Sequence, residues 1–97
     1  MFARVTTVSV QPDQVATVSR IYNESILPAV KAASGNRGVY LLIDPTSGKG
    51  MSITLWENQA DGVAYDSSGT YREQVGKVSP YFNAAPTLAT YELAAQG

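Results

Sequence analysis

The stretch from Ile26 to Asn58 constrains the fold of this 97-residue chain more than any other part of it. An amphipathic helix ends there at Gly35, a residue type that favours the left-handed backbone found after helix C-termini. Two apolar strands follow, Gly38 to Asp44 and Met51 to Glu57, and the Gly- and Ser-rich residues between them are typical of a hairpin. With one strand before this stretch and a helix and a strand after it, the predicted order is β-α-β-β-α-β.

Shorter patterns give the remaining elements. Alternation from Phe2 to Val10 predicts a first strand whose two faces are both partly apolar. Apolar residues at helical spacing follow Pro12, and we expect Pro28 to bend this helix because proline removes a backbone donor. The residues from Thr70 to Glu73 form a capping box, which predicts that the second long helix begins there. The last strand is predicted over Thr87 to Leu93.

The predicted order has a consequence for assembly. Right-handed β-α-β crossovers place both helices on one face of a four-stranded antiparallel sheet, and the opposite face would be bare. A chain of this length buries only roughly 60–65% of its unfolded surface. With no Cys and no His, it has no disulfide or transition-metal staple. We therefore expect a single domain, residues 1–97, that forms a homodimer through its sheet faces.

Composition argues against several classes of partner. Seven basic and eight acidic residues give a net charge of −1, so the basic excess of a nucleic-acid-binding surface is missing. No apolar run approaches the roughly 20 residues that a membrane span needs, and no signal peptide precedes the first strand. We therefore expect no nucleic acid, no membrane and no metal, and a cytoplasmic location.

Several motifs resemble one family along nearly the whole chain. They are ILPAV, G-x-x-G-V-Y-L-L-I-D, the hairpin G-K-G, S-I-T-L-W-E, Y-R-E-Q and the closing T-Y-E-L. The chain is similar to the dimeric α+β barrel superfamily, in particular to its antibiotic-biosynthesis-monooxygenase-like group. The resemblance implies a ferredoxin-like α+β fold, a homodimer and oxidation of aromatic polyketides or quinols without a cofactor. Haem-degrading members use an Asn, Trp and His set, so the absence of His argues against haem turnover by that route.

Aromatic side chains are the first candidates for a ligand site. Trp56 would either form the floor of a cavity between sheet and helices, with its N–H on a substrate oxygen, or simply pack in the core. Other aromatic residues cluster on the second helical segment and on the facing stripe of the first helix. They would either hold a flat aromatic ligand or pack at the edge of the core. These residues are Tyr22, Tyr65, Tyr71, Tyr81 and Phe82.

Three polar residues complete the set of candidates. Arg4 lies within the first strand, where a charge needs a partner: Glu92 or Glu57 on a neighbouring strand, or a ligand anion. Arg72, on the second long helix, is placed to help polarise a phenol or quinone oxygen. Asn23 on the first helix is a further polar candidate.

Two functions fit these residues. An enzyme of this kind would oxidise an electron-rich phenol or quinol, with O2 reacting at a substrate anion that the protein desolvates and orients. Trp56, Tyr71, Arg72 and Asn23 would orient that anion, and a Tyr, a carboxylate or water would take the proton because the chain has no His. The alternative is a non-catalytic dimer that binds a small hydrophobic molecule or serves as an interaction module.

Overall fold

The computed structural model describes residues 1–97 as a four-stranded sheet with helices against it. The strands are β1 (Phe2–Ser9), β2 (Asn36–Ile43), β3 (Lys49–Trp56) and β4 (Thr87–Glu92). The helices are α1 (Val15–Ile21), α2 (Leu27–Lys31), α3 (Gln59–Asp66) and α4 (Gly69–Val78), with a π-helical segment (Tyr22–Ile26) between the first two and 3-10 turns at Pro12–Gln14 and Ser79–Tyr81. No helix has the length and apolar character that crossing a bilayer requires.

The strands pair antiparallel in the order β2-β3-β1-β4, so the first strand of the chain is central. This arrangement follows from the β-α-β-β-α-β order, and the predicted ferredoxin-like α+β fold is confirmed. Arg4 of β1 lies opposite Thr54 of β3 and Thr90 of β4. Because successive side chains of a strand point to opposite faces, this register determines which residues share the helix-covered face.

One apolar cluster lies between the sheet and the helices. Trp56, at the end of β3, is its largest member and is only 1% exposed. The helix from Val15 to Lys31 contributes residues at helical spacing, whereas α3 and α4 contribute one residue each. Its buried members are Val10, Val15, Val18, Tyr22, Ile26, Val30, Trp56, Tyr65 and Val78.

The continuous helix from Val15 to Lys31 contains one wide turn. The N–H of Leu27 donates to the carbonyl of Tyr22, five residues back instead of four. The next residue, Pro28, has no N–H, and in a regular helix its ring would crowd the carbonyl of Glu24. The π turn directly before the proline allows the helix to continue through it. The sequence predicted only a bend at this proline.

The helix α4 begins earlier than predicted. Its N-cap is Ser68, whose hydroxyl oxygen accepts a hydrogen bond from the N–H of Tyr71 at 3.2 Å. The predicted capping box at Thr70 is therefore wrong, because Thr70 is already inside the helix. The same hydroxyl donates to the carbonyl of Tyr65 at 2.6 Å. Ser68 thus ties the end of α3 to the start of α4 and holds two tyrosines close together.

Large apolar side chains lie on the sheet face turned away from the helices, here called the outer face. Tyr40 and Leu42 of β2, Met51 of β3 and Tyr91 of β4 are all exposed there. The register pairs Tyr40 with Ile53 and Leu42 with Met51, so several of these side chains are neighbours. Single exposed hydrophobic residues are ordinary, whereas a contiguous set of them is typical of an interaction surface.

Candidate functional site

A cavity of about 110 Å³ lies between the sheet and the helices, beside the core. Thirteen of the twenty residues that line it are hydrophobic, so it suits a mainly apolar ligand. The sheet side contributes Arg4, Thr6, Val8, Val10, Leu41, Ser52, Thr54, Pro86 and Leu88. The helical side contributes Val18, Tyr22, Ile26, Val30, Tyr65, Asp66, Tyr71, Gln74, Val75, Val78 and Phe82.

An ion pair stands within this mainly apolar lining. The guanidinium of Arg4 contacts the carboxylate of Asp66, and the two side chains are only 12% and 23% exposed. A second guanidinium nitrogen of Arg4, Nη1, donates to Thr90 Oγ1 at 3.3 Å. Glu92 and Glu57, the two protein partners expected from the sequence, are therefore wrong, whereas the ligand anion stays a prediction. Arg4 lies on the helix-covered face, and its carboxylate comes from the end of α3, whereas Glu57 pairs with Arg37 at 2.8 Å.

Two polar atoms of the lining are buried without any partner in the protein. They are Nε of Arg4 and the hydroxyl oxygen of Tyr65. Leaving a buried donor unsatisfied costs about 1–3 kcal/mol, so a folded chain normally pairs such groups internally. Both residues line the cavity, but these two atoms have almost no accessible surface, so a ligand would reach them only after neighbouring side chains moved.

Phenol rings form the side of the cavity under the helices. The hydroxyl of Tyr22 shares a hydrogen bond of 2.5 Å with the hydroxyl of Ser52 on β3. The ring of Tyr65 meets Tyr71 edge-on, with centroids 5.8 Å apart, and lies 5.6 Å from the indole of Trp56. Edge-to-face and tilted contacts of this kind hold aromatic rings in fixed orientations.

Burial changes the proton affinities of the acidic groups around the cavity. Desolvation raises the pKa of the Tyr22, Tyr65 and Tyr71 phenols. It also raises the pKa of the Asp66 carboxyl, and the Arg4 guanidinium offsets only part of that rise. These groups therefore hold protons more tightly than the same groups in water, which suits a site where a proton is accepted from a ligand.

A chain of polar contacts lies at another part of the lining. Lys77 Nζ donates to the hydroxyl oxygen of Ser25 at 2.7 Å, and that hydroxyl donates to Oε1 of Gln74 at 2.7 Å. Gln74 is buried on α4, whereas Lys77 is exposed on the next turn. These contacts satisfy the oxygen of a buried side-chain amide and link α4 to the π segment.

The structure brings together some of the residues named from the sequence. Tyr22, Tyr65, Tyr71 and Phe82 all line the cavity. Arg4 lines it too, whereas Trp56, Arg72, Asn23 and Tyr81 lie outside its lining. Trp56 packs behind Tyr65 and donates its N–H to Thr54 Oγ1 at 2.9 Å; Arg72 is exposed on α4; and Asn23 is exposed on the π segment, where it donates to the Ser19 carbonyl at 2.9 Å. Their part in binding a ligand stays a prediction.

Sequence reasoning missed Asp66 as a member of this site. It is the last residue of α3, where the negative end of the helix dipole disfavours a carboxylate. Asp66 directly precedes Ser67, Ser68 and Gly69, residue types that end a helical pattern. A carboxylate at such a helix end therefore indicates that a cation lies nearby. No group of three or more acidic side chains converges to form a metal site.

These features define a class of protein: a ferredoxin-like α+β domain with a small aromatic-lined cavity between its sheet and its helices. The sequence model of the family described as antibiotic biosynthesis monooxygenase matches residues 1–77, which include β1 and nearly all of α4. The chain belongs to that family.

Two curated relatives come from Mycobacterium tuberculosis, the uncharacterised proteins MT2634 and Rv2557. Each is 27% identical to this chain over 99 residues. The match covers 98% of the chain and 42% of each relative, so the chain spans about two-fifths of the length of these relatives.

Solved structures repeat the fold over the whole chain. A proposed antibiotic biosynthesis monooxygenase from Bordetella bronchiseptica superposes with a TM-score of 0.85 at 19% identity, over 97% of both chains. A proposed antibiotic biosynthesis monooxygenase from Nitrosomonas europaea gives 0.80 at 15% identity, over 98% of this chain and 100% of that one. Rv0793 of Mycobacterium tuberculosis superposes with a TM-score of 0.78 at 12% identity, over 98% of this chain and 96% of that one. Likeness at these identities shows the fold alone.

Proposed function

We propose that this protein is a cofactor-independent monooxygenase that acts on a small aromatic or quinol-type compound bound in the cavity. One observation carries the proposal: three phenols and an ion pair line a mainly apolar cavity in a chain from this family. Apolar walls desolvate a substrate, and a few polar groups fix its orientation.

The size of the cavity limits the substrate. An engineered cavity of about 150 Å³ binds benzene, whereas pockets for drug-sized ligands are about 300–1,000 Å³. A cavity of about 110 Å³ that is not fully closed therefore suits a compound with a single ring. Larger fused-ring compounds would require the helices to move away from the sheet.

The proposed reaction needs only O2 and the substrate. Loss of a proton from the substrate hydroxyl gives an anion, which transfers an electron to O2, and the radical pair combines as a carbon-bound peroxide. The proton held by Asp66 returns to the outer oxygen and gives a hydroperoxide on a ring carbon that still carries hydrogen. Cleavage of that C–H bond and of the O–O bond releases water and leaves a carbonyl, so one oxygen atom enters the product and the other becomes water. The protein supplies orientation, exclusion of bulk water and a proton acceptor. Asp66 is the carboxylate that lines the cavity and is the acceptor in this proposal.

The proposed assembly is a homodimer joined through the outer faces of two sheets. Tyr40, Leu42, Met51 and Tyr91 are exposed in the single chain and would be buried between the two sheets. The chain belongs to the family that it resembles, and that resemblance implies a homodimer, so family membership supports this assembly. The cavity lies on the opposite side of the sheet, so each protomer would keep its own site.

Oxygen uptake with a panel of single-ring phenols and quinols tests the proposed activity. We expect uptake above that of heat-denatured protein for at least one compound, with one atom of heavy-isotope O2 in the product. Asp66→Asn should lower the rate by about a hundredfold or more, the usual range for a group that accepts a proton. Arg37→Met is the matched control, because its ion pair with Glu57 lies outside the cavity.

A non-catalytic ligand-binding module is the second candidate. The observation that favours it is the direct pairing of Arg4 with Asp66, which leaves the lining without an unpaired charged residue. If no compound in the panel is consumed above the heat-denatured control, the enzyme proposal is wrong. A small hydrophobic molecule carried through purification and detected by native mass spectrometry would then support the binding module.

A further inference from the structure

The cavity opens to solvent beside β4. Of all the residues that line it, only Pro86 and Leu88 are exposed, and Leu88 keeps 49% of its surface in water. Phe82, which is half-buried and also lines the cavity, forms an antiparallel bridge with Val10 just past the end of β1. These three residues, here called the mouth, therefore lie along one edge of β1, on the side where β4 pairs with it. All three are apolar.

The charged groups of the cavity lie away from the mouth. Arg4 is opposite Thr90 of β4 and contacts Asp66. Leu88 is two residues from Thr90 on the same face of the strand, so about 7 Å along the strand separates the ion pair from the mouth. Thr90 accepts a hydrogen bond from Arg4 and does not line the cavity, whereas Leu88 does. The cavity is thus charged at its covered end and apolar where it opens.

We propose that the mouth is a subsite for an unbranched alkyl chain, carried by an amphipathic ligand whose polar group lies towards Arg4 and Asp66. The inference rests on the proposed function for the place of the ring in the cavity. It adds a second part to the ligand: an alkyl substituent on the side of the ring that points away from the hydroxyl group.

The shape and chemistry of the opening favour a chain over other substituents. The cavity of about 110 Å³ suits one ring, and a chain that lies across the mouth needs no part of that volume. The side chains of Phe82, Pro86 and Leu88 have no hydrogen-bonding group, so a hydroxyl or a charge placed against them would lose its water without gaining a partner. An alkyl chain loses nothing there and covers the exposed surface of Leu88.

A second copy of the chain is the other candidate to cover these residues. The outer face of the sheet carries more of the large exposed apolar side chains, among them Tyr40, Leu42 and Tyr91. The mouth carries one such side chain, Leu88, and it borders a cavity. A chain that continues from a ligand in the cavity therefore fits the mouth better than a protein surface does.

Binding of 1-alkanols tests the inference without any oxidation, because these compounds are amphipathic and have no ring. Their affinities are measured by NMR titration of the protein's methyl signals. From 1-butanol to 1-hexanol, we expect the affinity to rise about fourfold for each added carbon, as the chain fills the cavity and reaches the mouth. The affinity should level off for longer chains, because carbons that pass Leu88 stay in water.

A substitution at the mouth separates this subsite from general apolar binding. Leu88→Thr removes apolar surface and keeps a residue type that strands favour. It should weaken binding of 1-hexanol about fourfold, the effect of one buried CH2 group, and leave binding of the shorter 1-butanol unchanged. Val63→Thr is the matched control, because Val63 is 47% exposed on α3 and does not line the cavity. It should change neither affinity.

The direction of the bound chain has a readout of its own. Nuclear Overhauser effects from the terminal methyl group of 1-hexanol should reach Leu88 and Phe82. Those from the carbon that bears the hydroxyl group should reach Arg4 and Asp66. The reverse pattern would show that the polar end lies at the mouth, and the inference would be wrong.

The remaining outcomes also decide the inference. It is wrong if no alkanol binds, or if Leu88→Thr and Val63→Thr bind 1-hexanol alike. It is also wrong if Leu88→Thr changes the sedimentation of the protein but not its affinity for 1-hexanol, since the mouth is then a protein contact. If the alkanols bind as described and no phenol or quinol consumes oxygen, the subsite holds and the oxygenase proposal fails. If oxygen is consumed and the alkanols do not bind, the oxygenase proposal holds and the subsite fails.

Discussion

Tyr22, Tyr65 and Tyr71 show how position changes the chemistry of one residue type. All three line the cavity, and desolvation there raises the pKa of each phenol. For Tyr65, the neighbouring acidic groups of Tyr22 and Asp66 raise the pKa further, because a second negative charge nearby would be unfavourable. The phenols therefore keep their protons to higher pH than tyrosines in water do.

The raised pKa values predict a loss of stability in alkali. A pKa that is higher in the folded chain than the ordinary value of 10.0 means that the protonated phenols favour folding. Their contribution is complete below about pH 10 and is lost as the pH rises through the folded pKa values. Phenolate absorbance of the native protein should thus rise at higher pH than that of the urea-unfolded protein.

A tyrosine variant is the control for comparing the phenolate titrations of the native and the unfolded protein. Tyr22→Phe removes one of the three late-titrating groups and should reduce the amplitude of the late phase. The unfolding free energy of the wild type should fall with pH above about 10, in the direction that linkage requires. Coincident titration curves for native and unfolded protein would show that the three phenols are not desolvated as described.

The sequence predicted the aromatic members of the site better than the charged ones. Tyr22 and Tyr71 follow the helical spacing of the apolar residues, and a repeating pattern reveals which face they share. The pairing of Arg4 with Asp66 joins residues 62 positions apart, and no local pattern encodes it. It depends on how α3 packs against the sheet, which is a property of the packed fold.

At the scale of elements, α3 lies unusually close to the sheet at Gly62. A Cβ atom at this position would lie 2.6 Å from Cδ of Arg4 and 3.0 Å from Cδ1 of Trp56. The glycine therefore leaves space for the stem of Arg4 between the helix and the indole. Close approach at this point places the Asp66 carboxylate, one turn further on, against the guanidinium.

Two glycine substitutions test this approach. Gly62→Ala should lower the free energy of unfolding, because crowding costs about 1–3 kcal/mol and exceeds the gain of about 0.5–1 kcal/mol from replacing a helical glycine. Gly76→Ala, in α4, has nothing within 4 Å of the added Cβ and should raise the free energy of unfolding by about 0.5–1 kcal/mol. Urea denaturation measures both. If the two variants are equally stabilised, α3 does not approach the sheet as described.

Element order was readable from the sequence, whereas element boundaries were less so. Gly35 and Gly48 both have positive φ, 81° and 77°, at the helix end and hairpin where glycine was expected. The start of α4 was misplaced because two residues, Ser68 and Thr70, both suit an N-cap. The π turn before Pro28 was missed because the pattern of apolar residues does not specify how many residues a turn contains.

At the scale of the whole molecule, the outer face of the sheet is the surface that most needs a partner. Its exposed side chains include Tyr40, Leu42 and Tyr91. Two sheets packed face to face would bury them, with strands nearly aligned or crossed. The helix-covered face carries the buried core cluster, and on that face Leu88 of β4 is 49% exposed.

Sedimentation velocity at micromolar concentration tests the proposed homodimer. We expect a particle of twice the 10.3 kDa chain mass. Leu42→Lys should weaken the dimer by about tenfold or more, because burial of an unpaired charge at the interface is costly. Val63→Lys is the matched control: Val63 is 47% exposed on α3, against 54% for Leu42, and lies away from the outer face. A monomeric wild type, or equal effects of both variants, would contradict the assembly.

Strand order has a consequence for the synthesis of this protein. β1 is one of the two inner strands and precedes both of its sheet neighbours in the chain, since β3 begins at residue 49 and β4 at residue 87. Before residue 49 is made, β1 has neither of its sheet neighbours, and the ion-pair partner of Arg4, Asp66, is made later still. Folding of the sheet therefore waits for distant segments, so such a chain assembles more slowly than one built from local contacts. Shielding of the emerging N-terminal segment by the ribosome surface or a chaperone would meet that need.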